Sequence, residues 1–414
     1  MTQTIHSHIL PNGLVLVAEP MPWLASAAFT CLVPAGSVDD PPRKSGLSSF
    51  TCEMALRGAG PRDSRQFVLD LDNLGVERDE GVSNAHTAYS AATVAENLPA
   101  ALAIYADLLQ RPHMPAEQLE AGRQGCLQEV RAVEDEPAQK LMLELRRRHY
   151  PDPWGQPSHG DVASIQAITI DDIQTHFQQH YRPNGAILGV AGRFEWPAIK
   201  DLVEQLFGDW QPQPAAPITE TEAQGKYTHL PYDSNQTQIG IAYSSVPYCD
   251  PAYYRAWGAV GVLGSGSSAR LFTEVRERRG LCYAVYASYH TLRHRGGVFC
   301  YAGTSAERAQ ETLDVTMAEV VRLGQGIEQA ELDRLKARIK SSLIMQQESS
   351  SARSSSVARD WYHLGRARGM DEVGRLVDEL SCETINAYLA EHPPHDFTVC
   401  TLGPHELEVP DGIS

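Results

Sequence analysis

The chain has no Cys-x-x-Cys pair and no zinc-finger spacing. Its eight cysteines, at 31, 52, 126, 249, 282, 300, 382 and 400, lie far apart, which excludes a finger or a dithiol redox motif and leaves reduced core thiols. It has no run of about 18 apolar residues, so no membrane-spanning helix is expected. The opening Met-Thr-Gln-Thr-Ile-His-Ser-His carries neither the basic nor the apolar segment of a secretion signal, and a soluble cytoplasmic protein is the expectation. Positive charge is scarce: 35 Lys and Arg stand against 52 Asp and Glu, a net charge of −17, and no basic cluster exceeds Arg146-Arg147-Arg148 or the stretch from Arg276 to Arg279. That balance argues against nucleic acid or an anionic membrane as partner. The glycine-containing loop Gly264-Ser-Gly266 lacks the Gly-Lys-Ser/Thr ending of a phosphate loop, which argues against nucleotide binding. His86, His113, His159, His290 and His294 have no acidic companion at ligand spacing, and read as surface or satisfied core residues.

What is present is a large apolar content, 42% of 414 residues, enough for two to three domain-sized units. Asn12-Gly13 between apolar segments marks a hairpin. Strands are expected at 27–34, 76–79, 84–95 and 186–192, and helices at 64–74, 98–109 and 115–130. Pro137 should bend or end the last of these, with helical pattern resuming to His149. The pattern then recurs: 27–41 matches 237–251, Tyr89 to Glu96 matches Cys300 to Glu307, and 115–130 matches 328–343, all at an offset of about 210 residues. The expected architecture is therefore α+β, two similar domains, each a mostly antiparallel sheet packed with helices. Their expected spans are 1–210 and 226–414, joined by a Pro-rich linker at 211–225. The serine-rich stretch Ser349 to Ser356 reads as a polar helix or its edge, with a disordered linker as the alternative.

The segment Gly46 to Gly60 reads as a helix, with Leu47, Phe50 and Met54 on one face and Ser49, Cys52, Glu53 and Leu56 on another. Its frame, ending in Met54 and Gly58, resembles that of the inverzincins, the pitrilysin and insulinase type of zinc metallopeptidases, whose helix carries H-x-x-E-H. That resemblance places Ser49, Cys52 and Glu53 at the positions of zinc ligand, general base and zinc ligand, and none of the three matches. Ser49 is a poor zinc ligand, and Cys52 is a thiol where a carboxylate base belongs. The third ligand of the family is a Glu on a later helix, and Glu129, 76 residues beyond Glu53, matches it; a second acid seven residues earlier is replaced by Gly122. No metal is expected in this chain. An enzyme using Cys52, Glu53 and Glu129 around an unusual metal is a third reading, which requires stoichiometric metal.

The stretch Gly261 to Tyr283 resembles the second-domain signature of the same family, in which an Arg and a Tyr seven residues apart bind the substrate backbone and steady the oxyanion at the zinc of another domain. Arg276 and Tyr283 match both. A guanidinium and a phenol are suitable donors for such charge. Asn84 and Ala85 resemble the family's peptide-accepting edge, with an ordinary sheet strand as the alternative, and Gly264 and Gly266 a loop with a substrate-contact role, with a plain helix-entry turn as the alternative. The resemblance spans Ile9 to about Gly403 and implies a non-catalytic subunit of a heterodimeric metallopeptidase. Arg276 and Tyr283 would act in trans, and a homologous chain with intact H-x-x-E-H would bring the zinc. The substrate would be a peptide or unfolded protein. A homodimer is the other assembly considered, and a scaffold or peptide-binding module with no catalytic partner is the alternative function.

Overall fold

The computed structural model describes residues 3–223 and 225–409; Gln224, in the expected linker, and the ends of the two expected domains lie outside them. The chain divides into two compact units. The first runs to Ala132 and adds Gln156–Glu220 and Ile344–Met370; the second takes Val133–Gly155, Thr221–Leu343 and the chain from Asp371 on.

In the first unit, β1 (His6–Ile9) and β2 (Val15–Pro20) pair across the Asn12-Gly13 turn, where Gly13 adopts φ 93°. There follow β3 (Ser26–Val33), α1 (Leu47–Ala55), the short ribbon β4 (Gly58–Ala59) and β5 (Arg62–Asp63), and α2 (Ser64–Asn73). The Asp63 carboxylate accepts the Gln66 N–H at 2.8 Å and so starts α2. Next come β6 (Glu77–Val82), β7 (Thr87–Val94), α3 (Leu98–Gln110) and α4 (Leu119–Glu134), then α5 (Pro137–His149), which belongs to the second unit. The first unit resumes with α6 (Val162–Ala167), α7 (Ile170–His180), β8 (Ile187–Gly192) and α8 (Trp196–Phe207). Its sheet has the order β1-β2-β8-β3-β7-β6, antiparallel except for the β2/β8 pair.

The second unit contains β9 (Tyr227–Pro231), β10 (Gln236–Ser245), α9 (Tyr253–Gly264), a π-helical turn (Phe272–Glu277), β11 (Cys282–Thr291), β12 (Gly296–Ser305) and α10 (Ala309–Leu323). After α11 (Gln329–Gln346), α12 (Ser350–Leu364) lies in the first unit, and α13 (Met370–Asp378), α14 (Cys382–Glu391) and β13 (Thr398–Gly403) finish the chain's regular structure. The sheet order β11-β12-β10-β13-β9, with β13 and β9 parallel, reproduces β6-β7-β3-β8-β2 strand for strand. The α+β architecture and the repeat are those expected from the sequence.

The compact units do not follow a single cut at 211–225. Each sheet carries on one face a helix from the other half of the chain: α12 on β2, β3 and β8, and α5 on β10 and β13. Two glycines admit these helices. A Cβ on Gly189 would stand 2.3 Å from the Ser354 carbonyl oxygen, and one on Gly240 would stand 3.0 Å from Leu145 Cδ2. The serine-rich stretch is therefore an ordered helix that buries hydroxyls: Thr30 Oγ1 meets Ser354 and Ser355 at 3.2 and 2.9 Å, and Ser26 meets Ser350 at 3.1 Å.

One expected strand is shorter. Residues 84–86 form the β6/β7 connection, because the carbonyls of Ser83 and Asn84 accept the N–H groups of Ser37 and Val38, both at 3.0 Å, and the backbone of Gly36 packs against Asn84 and Ala85. Among the described residues no helix is long and apolar enough to cross a membrane.

Candidate functional site

Helix α1 begins without a capping side chain of its own. Gly46 stands in the left-handed region, and the half-buried Asp40 carboxylate reaches over to accept Gly46 N–H at 2.7 Å, Ser48 N–H at 2.8 Å and Ser48 Oγ at 2.6 Å. Burial pushes the Asp40 carboxyl up to about 7 against those bonds. Leu47, Phe50 and Met54 pack against Cys126, Leu127 and Val130 of α4, as the sequence periodicity requires. A Cβ at Gly122 would stand 2.9 Å from Met54 Sδ and 3.1 Å from Phe50, so the missing acid at that position coincides with close packing of α4 on α1.

This packing brings Cys52, Glu53 and Glu129 together, while Ser49 is committed elsewhere. Ser49 Oγ donates to the Ser158 carbonyl at 2.8 Å. Cys52 is buried, and its thiol is pushed up to about 12 by burial, with the charges of Glu80, Glu53 and Glu129 raising it further. Glu53 accepts from Arg57 Nη2 at 2.6 Å, one helical turn on, and Arg57 Nη1 also donates to Gln118 at 3.2 Å. Burial, and then Glu53, raise the carboxyl of Glu129.

These donors do not fit zinc. A tetrahedral site needs deprotonated or neutral soft ligands aimed at one point. Here a hydroxyl is spent on a carbonyl, a thiol is held protonated among carboxylates, and one of the two carboxylates already has a guanidinium. The reading in which Cys52, Glu53 and Glu129 hold an unusual metal meets the same objection; among the described residues no group of three or more His, Cys, Asp or Glu is arranged for a metal ion. Arg57 was legible in the sequence as the i+4 partner of Glu53, but its role there was not read.

In the second unit the matched pair is displayed differently. Arg276 lies in the π-helical turn, a distortion that accompanies functional sites often enough to be informative. Its guanidinium sits 4.8 Å over the Phe272 ring and makes no ion pair among the described residues, because Glu274 is taken by Arg278 at 2.6 Å and Arg279 at 2.9 Å. Gly280 N–H donates to the Arg276 carbonyl and Leu281 N–H to that of Val275, both at 3.0 Å, which turns the chain directly into β11. Tyr283 is the extra residue of a β-bulge: Cys282 pairs with Thr304 and Ala284 with Gly303, leaving Tyr283 unpaired and 51% exposed. Its hydroxyl donates to Gln236 Oε1 at 3.3 Å, and its ring lies across Gly303, where a Cβ would stand 2.7 Å from the phenol oxygen. Beside it Tyr286 stacks on Tyr301 at 5.1 Å, and Tyr301 donates to Gln238 at 2.6 Å. Neither Gln236 nor this aromatic floor is legible in the sequence, since a side-chain contact across 47 residues, between strands that both flank β12, leaves no local signal.

The remaining expected contacts divide. Asn84 and Ala85 belong to a connection, not to a sheet edge, and the first sheet's free edge on that side is β6. Gly264 is buried, since a Cβ there would lie 2.1 Å from the Ala287 nitrogen, which makes it a packing glycine and withdraws it from direct substrate contact. Gly266, with φ 97°, is exposed.

Residues 17–155 match the family model described as insulinase, peptidase family M16, and residues 167–339 match that described as the peptidase M16 inactive domain. An uncharacterized zinc protease of Rickettsia felis is 25% identical over 98% of this chain and 99% of its own. One of Mycobacterium tuberculosis is 26% identical over 96% of this chain and 92% of its own. Among solved structures, the peptidase M16 inactive domain from Pseudomonas fluorescens superposes with a TM-score of 0.90 at 22% identity, covering 98% of this chain and all of that one. A protease from Helicobacter pylori gives 0.89 at 20%, with the same coverage. With both of its repeats matched by models of one family, the chain belongs to peptidase family M16 as a two-domain member whose zinc helix lacks the H-x-x-E-H residues.

Proposed function

We propose that this chain is the non-catalytic subunit of a heterodimeric zinc metalloendopeptidase of the cytoplasm. A homologous partner would bring an intact H-x-x-E-H helix, and this chain would bring Arg276 and Tyr283. The observation that carries the reading is the contrast between the two units. The ligand positions are neutralised by internal bonds, whereas Arg276 stands without an ion pair and a bulge turns the Tyr283 phenol outward.

The partner's metal would supply the activated water. The groups of this chain act on the peptide. The Arg276 guanidinium, oriented by its stacking on Phe272, donates to a backbone carbonyl. The Tyr283 hydroxyl, which rests on Gln236 Oε1 in the free chain, would turn its single proton from that acceptor to the attacked carbonyl oxygen as negative charge develops there. Both groups act on the peptide as hydrogen-bond donors.

The test is reconstitution. The chain is co-expressed with a homologue that retains H-x-x-E-H, the native mass of the product is measured, and turnover of a quenched fluorescent peptide is followed for wild type, Arg276→Ala, Tyr283→Phe and the double variant. Loss of one oxyanion donor should lower kcat by about 10²–10³ with assembly intact. If the double variant turns over peptide at the wild-type rate, the proposal is wrong. An assembly that binds peptide without cleaving it would instead support a peptide-binding scaffold.

A further inference from the structure

The loop after α9 and the facing side of α11 border a small recess, open to solvent, in the second unit. Its floor is apolar, from Leu335 and the end of α9, and its rim carries Ser265, Ser268, Arg334 and Arg338. Arg334 and Arg338 are one helical turn apart on α11 and therefore project from the same face.

The charge of this recess is not balanced internally. The only carboxylate among its lining residues, Glu331, is fully engaged: Arg270 Nε and Nη2 bind its two oxygens at 2.6 and 2.7 Å, and the Glu328 N–H adds 2.8 Å. Arg270 and Glu331 thus cancel. Among the described residues Arg334 makes no ion pair or side-chain hydrogen bond, and Arg338 spends one N–H on the Ser265 carbonyl, which holds its guanidinium at the rim and leaves further donors free. The hydroxyls of Ser265 and Ser268 make no side-chain hydrogen bond either. In a protein of net charge −17, two guanidinium groups without carboxylates, beside two free hydroxyls, form a local positive site with directional donors.

The end of α9, from which the loop leaves, is closely packed. Gly264 is pinned against Ala287. A Cβ on Gly261 would stand 2.7 Å from Leu335 Cδ1, and Gly266 turns the chain at φ 97° directly beside Arg338.

We propose that this recess binds a compact oxyanion, a phosphate or the terminal carboxylate of a peptide, between the Arg334 and Arg338 guanidinium groups and the Ser265 and Ser268 hydroxyls. The site is independent of whether the chain serves a catalytic partner.

The experiment is calorimetric titration of the full chain at low salt in three arms: inorganic phosphate, a tetrapeptide with a free carboxyl terminus, and the same tetrapeptide amidated. Saturable one-to-one binding of phosphate identifies a free anion as a source. Binding of the free but not the amidated peptide identifies a chain terminus, and competition between the two places them in one site. Arg334→Gln should weaken binding by about tenfold or more, the loss of one charge-assisted contact, and Arg334→Gln with Arg338→Gln should abolish it. Because Arg334 is exposed and unpartnered, its variant keeps the wild-type thermal unfolding, which is measured alongside. The proposal is overturned if neither phosphate nor free peptide binds saturably, or if Arg334→Gln, folded as wild type, binds both with unchanged affinity.

Discussion

Arg353 is a largely buried cation on the helix that completes the first sheet, and its removal is a stringent test of how α12 is held. Its side chain is 2% exposed and that of its partner Glu19 is 3% exposed. Arg353 Nε donates to Glu19 Oε2 at 2.8 Å, and Gln3 Nε2 donates to the other oxygen at 2.6 Å. Arg353→Met keeps much of the aliphatic stem but leaves the Glu19 carboxylate in the interior with only an amide for company. Breaking a buried pair from one side costs about 3–5 kcal/mol, because the surviving charge is desolvated without compensation. For a unit of this size each kcal/mol is worth roughly 2–4 °C, so the transition of the first unit should fall by about 10 °C in scanning calorimetry. Glu19→Gln together with Arg353→Met removes both charges and keeps an acceptor for Gln3; it should recover at least about 2 kcal/mol of the loss. If Arg353→Met unfolds within about 1 kcal/mol of wild type in urea, or the double variant is no better than the single one, the charge argument fails and α12 is held by its serine bonds and apolar contacts alone.

Three further outcomes follow from other parts of the molecule. Burial lowers His149 and His290 in the second unit to about 4, so the folded protein holds them neutral where the unfolded chain protonates them near 6.5. Their contribution is present above pH 6.5 and is lost as pH falls towards 4, by at most about 1.4 kcal/mol per pH unit for each; His290→Asn, read by urea unfolding at several pH values, should flatten that slope. A Cβ at position 303 would stand 2.7 Å from the hydroxyls of both exposed Tyr283 and buried Tyr301, so Gly303→Ala should lower peptide turnover of a reconstituted pair as Tyr283→Phe does, and unlike that variant should also lower the melting temperature of the chain. Finally, Ser49→His, Cys52→Glu and Glu53→His in combination should let the chain take up about one zinc by elemental analysis, with Glu129 as third ligand, whereas the wild-type chain should bind it only substoichiometrically.

Much of this was legible in the residues. Local rules set the Asn12-Gly13 turn, the Asp63 cap and the break at Pro137, and the recurrence of pattern at about 210 residues foretold two sheets with the same strand order. The loss of the zinc ligands was equally plain, because a metal helix is a local device whose ligands sit one turn apart. Glu129 could be placed beside Glu53 only through resemblance to a family, and the structure gives the cause in the packing of α4 on α1 through Gly122.

What the tertiary structure alone decided are the long-range choices. Sequence periodicity reports which face of an element is apolar, not which sheet it meets, so nothing local announced that α5 and α12 cross to the sheets of the opposite halves. A serine-rich helix looks solvated until Thr30, Ser26 and Glu19 supply partners from strands more than 300 residues away. Asn84 and Ala85 alternate like strand residues, yet the N–H groups of Ser37 and Val38 claim the carbonyls that would extend β7. Gly264 resembles a flexible contact loop in sequence and is a packing necessity against Ala287 in space. The free state of Arg276 depends on which of three nearby arginines takes Glu274, and that competition is settled by a π-turn that spacing along the chain does not encode. Local conformation follows from neighbours in sequence, whereas burial, pairing and the availability of a side chain follow from neighbours in space.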